Sequence, residues 1–216
     1  MTQAAPPLPQ GLPLLLERDR TPPPPEAPPR PKVVIYGDSY AASALSRSGY
    51  GWPQLIAARL AIETVNMGVS GSGYVRCLNG STFPYAATTN PVSDAAVAIV
   101  VGSQNDRTQD PAAVALAAAV TYEAVRRGCP GARLLVVGGH WPWGTEASAN
   151  ALAVRDAMGA VCRVQDIPFL DPIDGQWLTG RPGLIDDDGA HPNITGHAVI
   201  AGYIAPQVAA LMAEAP

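Results

Sequence analysis

The chain has 216 residues and a formal net charge of −4, with Lys32 the only lysine among 14 basic residues. That balance, without a basic cluster, excludes an electrostatic nucleic-acid surface, and no apolar run approaches the roughly 18 residues of a membrane span. The three cysteines, Cys77, Cys129 and Cys162, form no CxxC or Cys/His spacing, so neither a metal site nor more than one disulfide is expected. Buried thiols fit them best, a Cys77 disulfide being open only to a protein that works outside a cell.

Residues 1–31 hold 11 of the 23 prolines, including TPPPPEAPPRP. Proline fixes φ and removes donors, so this segment is predicted to be an extended tether ahead of one domain over 32–216. GLPLLLERDR is too short, and too broken by Pro13, for a signal peptide. The expected location is therefore cytoplasmic, or within a virion to which the proline-rich segment docks. Past the tether, KVVIYG reads as a strand and GWPQLIAARLA, opened by Pro53, as a helix. IETVNMG and DAAVAIVVG are the next strands. Asp110 caps a helix with Pro111 at its first position, and Arg126, Arg127 and Gly128 supply the stop. ARLLVVGG, TEASANALAVRDAMGA and VQDIPFLD follow as strand, helix and strand. A last helix runs from near Asn193 towards Met212, with Pro206 expected to kink or interrupt it.

Strands apolar at every position imply a sheet covered on both faces. Alternation with helices then predicts a three-layer α/β/α sandwich on a five-stranded parallel sheet. Ligands bind such sheets beyond the carboxyl ends of the strands. Ser39, Gly68, Asn105 and His140, each following a strand, should therefore share one rim.

These strand ends carry chemistry. Gly37-Asp38-Ser39 follows the first strand, NMGVSGSGY the second and GSQND the third, while DDDGAHPN precedes the last helix. Acyl transfer needs a nucleophile, a base, a group that orients the base, and donors for an oxyanion. Ser39 can attack, His191 can take its proton, and Asp188, three residues earlier, can hold the other imidazole nitrogen. The backbone N–H groups of Ser39 and Gly68 and the Asn105 amide can receive the oxyanion. No GxSxG elbow surrounds Ser39 and no GxxxxGK[ST] run is present, which argues against an ordinary α/β-hydrolase and a phosphate cradle.

In this order the four blocks resemble the SGNH (GDSL-type) hydrolase family, from Val33 to about Ala210. The resemblance implies a flavodoxin-like fold with strand order 2-1-3-4-5, and a serine esterase needing no metal or organic cofactor. It places the family's serine on Ser39, its oxyanion glycine on Gly68, its GxND asparagine on Asn105 and its DxxH pair on Asp188 and His191. The third block, Gly102 to Asp106, is one residue longer than GxND. GWPQL and SGSGYV are also similar to actinobacterial and phage-borne members. An open rim in this family implies small-molecule or glycan esters of short acyl groups, acetyl above all. An acyltransferase would use the same residues, and a structural module of a phage particle would use none of them. Asp187 is the alternative to Asp188. His197 is expected to be a structural or surface residue and His140 to line the substrate pocket, while Trp141 and Trp143 either wall that pocket or pack in the core or a lid.

Overall fold

Three strand runs, residues 33–36, 95–101 and 134–137, carry no charged residue and are apolar on both faces, which only cover on both sides can satisfy. In the computed structural model, which describes residues 29–42 and 50–214, they form the centre of one parallel sheet. Its strands are β1 (Lys32–Gly37), β2 (Glu63–Asn66), β3 (Ala95–Val101), β4 (Arg133–Val137) and β5 (Phe169–Leu170). Their order is β2-β1-β3-β4-β5, and every pairing is parallel. The helices are α1 (Ser39–Ala42), α2 (Trp52–Leu60), α3 (Phe83–Thr89), α4 (Pro111–Gly128), α5 (Ala149–Val164) and α6 (Ile194–Ala213).

Alternate residues of β1 enter opposite cores. Val33 and Ile35 pack with Trp52 and Ile56 of α2 and Ile200 and Ile204 of α6. Val34 and Tyr36 pack with Phe83 of α3, Val114 and Tyr122 of α4 and Met158 of α5. This is the three-layer sandwich expected. The direction of strand addition reverses between β1 and β3, which opens a crevice at their carboxyl ends.

Four local readings need correction. Helix α3 stands where no element was expected; seven residues are too few to show a period, yet Thr82 caps it by accepting the Tyr85 N–H. Strand β5 is two residues, because α5 continues to Val164. Pro206 does not interrupt α6; its ring meets the carbonyl of Gly202, one turn earlier, within a helix that continues to Ala213. Cys77 is exposed rather than buried.

Helix α6 is long and apolar enough to cross a membrane by length and composition. Its Ile200, Ile204, Val208 and Leu211 nevertheless lie in the core beside the sheet. Most of the expected tether, residues 1–28, lies outside the described residues. Pro31, placed at the tether's end, directly precedes β1, and its carbonyl accepts the Glu63 N–H at 3.0 Å.

Candidate active site

Strand β1 ends on a glycine for a steric reason: a Cβ at Gly37 would stand 2.7 Å from the Val101 carbonyl oxygen. Asp38 then caps α1. Its Oδ1 accepts the Tyr40 N–H at 2.9 Å, and its backbone carbonyl accepts those of Ala41 and Ala42 at 3.1 and 2.8 Å. With the cap supplied by Asp38, the Ser39 hydroxyl is free to face outward. It lies 2.9 Å from His191 Nε2, across 152 residues of chain.

The other imidazole nitrogen, Nδ1, is 2.6 Å from Asp188 Oδ2. Asp188 Oδ1 accepts the Ala190 and His191 N–H groups, each at 2.9 Å. Burial by itself would raise the Asp188 carboxyl, but these two backbone donors and the imidazole outweigh it and hold the group at about 2. Asp187 donates its N–H to the Asp186 carboxylate at 2.9 Å, and both imidazole nitrogens of His191 face other groups. The loop closes on itself through Asp186 N–H to His191 O at 2.8 Å and Gly189 N–H to Asp186 O at 3.0 Å.

The loops after β2 and β3 complete the rim. Gly68 presses on α1, where a Cβ would stand 2.6 Å from the Ala42 nitrogen. Its N–H already donates to Asn66 Oδ1 at 3.0 Å, so the donor assigned to it from sequence is engaged. Asn105 Nδ2 instead donates to the Ser72 carbonyl at 2.8 Å, beside Gly71. Gly71 has φ +77°, and no acceptor for its N–H stands among the described residues. The sequence reading missed this glycine; the spelling SGSG, a glycine able to turn left-handed in mid-loop, was the available signal.

Asp106, the last residue of the GSQND block, ties these two loops together. Its carboxylate accepts the N–H groups of Tyr74, Val75 and Arg76 at 2.7, 3.1 and 2.7 Å. Burial outweighs those donors and raises its pKa. Asp38 is more extreme: burial pushes its carboxyl up to about 7, against the donors around it. Gly102, at φ +135°, packs against its Oδ2, leaving no room for a side chain. That oxygen and Gln104 Nε2 both lack a hydrogen-bond partner, so the Gln104 amide favours the carboxylate from beyond bonding distance.

His140 is 1% exposed and, with Trp141, lines a small cavity walled by Ser103, Gln104 and Arg107. Its ring stacks on Tyr40 at 4.9 Å and meets Trp177 edge-on at 5.6 Å, and neither nitrogen has a partner. Burial, then His197, lowers it to about 3, so it is neutral. His197 is structural as expected, its Nδ1 accepting the Trp52 N–H at 3.3 Å. Trp141 and Trp143 meet edge-to-face at 5.1 Å, and the Arg107 guanidinium lies 4.6 Å from the centre of the Trp143 ring. Among the described residues no His/Cys/Asp/Glu cluster could hold a metal ion.

A sequence profile of the GDSL-like lipase/acylhydrolase family matches residues 35–199. A GDSL lipase of Mycobacterium tuberculosis is 33% identical over 189 residues, spanning 82% of this chain and 80% of that protein. Among solved structures, TesA superposes with a TM-score of 0.68 at 22% identity, over 83% of this chain and 99% of its own. A carbohydrate esterase family 3 structure from Talaromyces cellulolyticus gives 0.63 at 18% identity, over 86% and 100%. The sheet order and these likenesses define an esterase-type hydrolase on the SGNH fold. The chain belongs to the GDSL-like lipase/acylhydrolase family.

Proposed function

We propose that the protein hydrolyses short-chain esters, acetyl esters of sugars above all, with Ser39 as nucleophile, His191 as base and Asp188 as its orienting carboxylate. The observation that carries this reading is the unbroken relay from Ser39 Oγ to His191 Nε2, 2.9 Å, and from His191 Nδ1 to Asp188 Oδ2, 2.6 Å. His191 takes the Ser39 proton as Oγ attacks the ester carbonyl. The tetrahedral oxyanion is received by the Ser39 and Gly71 N–H groups and by the second hydrogen of the Asn105 amide. The imidazolium, faced by a carboxylate that stays charged down to about pH 2, protonates the leaving alcohol. Water activated by the same imidazole then releases the acid.

The sugar-ester preference has two supports. One is the likeness to carbohydrate esterases. The other is the partly exposed Trp143, on the loop after β4, with a face and an arginine of the kind that meets sugar rings. Purified protein should hydrolyse p-nitrophenyl acetate and be labelled at Ser39 by a fluorophosphonate. Ser39→Ala and His191→Ala should each lower turnover by about 10³-fold or more. Wild-type turnover in either variant would sink the assignment. A preference for long acyl chains over acetylated glycans in a substrate panel would sink the substrate class alone.

A further inference from the structure

We propose that Tyr40 is a positioning residue for this reaction: its hydroxyl, donated to the Ala190 carbonyl, and its ring, set against the His191 imidazole, tie the helix carrying Ser39 to the loop carrying Asp188 and His191. The proposal rests on the hydrolytic reading above. Tyr40 follows Ser39 directly in α1, is 2% exposed, and has its own N–H fixed by Asp38 Oδ1 at 2.9 Å. Its hydroxyl lies 2.5 Å from the oxygen of Ala190, 150 residues away in sequence. Ala190 is no neutral anchor. It immediately precedes His191, and its N–H goes to the same Asp188 oxygen that receives the His191 N–H.

The ring does a second job. Its centroid is 5.7 Å from that of His191, tilted by 43°, and His140 backs its stack at 4.9 Å. His140 rests in turn on Trp177, which stacks on Tyr203 at 4.5 Å. The imidazole thus abuts a column of rings that ends at the exposed Tyr203, and has little freedom to swing towards the core. Burial, with the charges of Asp38 and Asp188 behind it, holds the Tyr40 phenol far above its ordinary range. It therefore remains a donor at any working pH.

The contrast with the Ser39–His191 bond explains why such a tie is needed. That bond is surrendered in every turnover, when the proton moves to the imidazole and on to the leaving group. Tyr40–Ala190 takes no part in the proton transfers and can hold the loop while they occur. A displacement of about 1 Å between reacting groups can cost on the order of 10² in rate.

The test compares the full-length wild type with Tyr40→Phe and with Tyr122→Phe. The Tyr122 hydroxyl bonds that of Tyr74 at 3.0 Å in the core on the other side of the sheet. Both variants lose one buried tyrosine hydroxyl, so both should lower Tm modestly. Tyr40→Phe alone should lower kcat on p-nitrophenyl acetate by about tenfold with KM within about twofold, the signature of an interaction needed in the transition state. The rate of fluorophosphonate labelling should fall in parallel. Wild-type kcat and labelling in Tyr40→Phe, or equal losses in the two variants, would overturn the positioning role. A wild-type chain that neither turns over ester nor takes the label would instead defeat the hydrolytic reading, and this inference with it.

Discussion

Asp38 sits between the glycine that ends β1 and the proposed nucleophile, and its carboxyl has two opposed demands on it. One oxygen accepts the Tyr40 N–H; the other is buried with no partner, so the charged form is costly. Burial raises the group to about 7 from an ordinary 3.8. An acid whose folded pKa is raised adds stability that is complete below its unfolded pKa and is lost as pH rises through the folded value. Its window here is therefore about pH 4 to 7. Asp38→Asn keeps an acceptor for Tyr40 and removes the titration. Between pH 5 and 8 the wild type should lose about 2 kcal/mol more stability than this variant, read by urea unfolding at the two pH values. Asp106, also raised by burial, titrates in both proteins, and because its charge helps to raise Asp38 only the interaction between the two carboxyls enters the difference. Parallel pH dependences would show that Asp38 is ionised in the fold throughout. Sequence placed Asp38 between Gly37 and Ser39 at the end of the first strand, but its surroundings come from Gly102 and Gln104, more than sixty residues away.

At the scale of elements, α6 shows how a helix serves the site from its first turn. Asn193 caps it by accepting the Thr195 and Gly196 N–H groups, both at 3.0 Å. The same side chain donates to the Gly183 and Ile185 carbonyls at 2.9 and 3.3 Å. The loop that delivers His191 is thereby fastened at its base to the longest helix in the domain. Gly196 has no room for a side chain, since it packs against the Leu184 carbonyl and Pro192. Gly202 is the opposite case, a helical glycine with nothing within 4 Å of where a Cβ would lie. Gly202→Ala should therefore raise stability by about 0.5–1 kcal/mol without touching turnover, measured by thermal unfolding and by ester hydrolysis. A loss of stability would mean that Gly202 is needed for Pro206 to stay in the helix. Sequence suggested both ends of α6 and its proline. It did not show that α6 runs unbroken through that proline.

For the whole molecule, both cores are built from residues between Val33 and Met212, and Pro31, just ahead of β1, bonds to Glu63. Deleting residues 1–28 should accordingly leave turnover and Tm nearly unchanged, tested by calorimetry and an ester assay on the shortened chain. A fall of many degrees would mean that the proline-rich segment packs on the domain. By itself the sequence determined the three-layer sandwich, the rim at the carboxyl ends of the strands and the pairing of Asp188 with His191. Each of these is written in a contiguous stretch, as an apolar period, a strand followed by its loop, or a three-residue spacing. Only the tertiary structure decided that Gly71 rather than Gly68 has an unengaged N–H, and that the Asp106 carboxylate gathers three backbone donors. It alone decided that His140 is buried and that Tyr40 reaches Ala190. The reason is physical: these facts depend on which way a side chain or an N–H points once distant loops are packed together, and no local pattern encodes that direction.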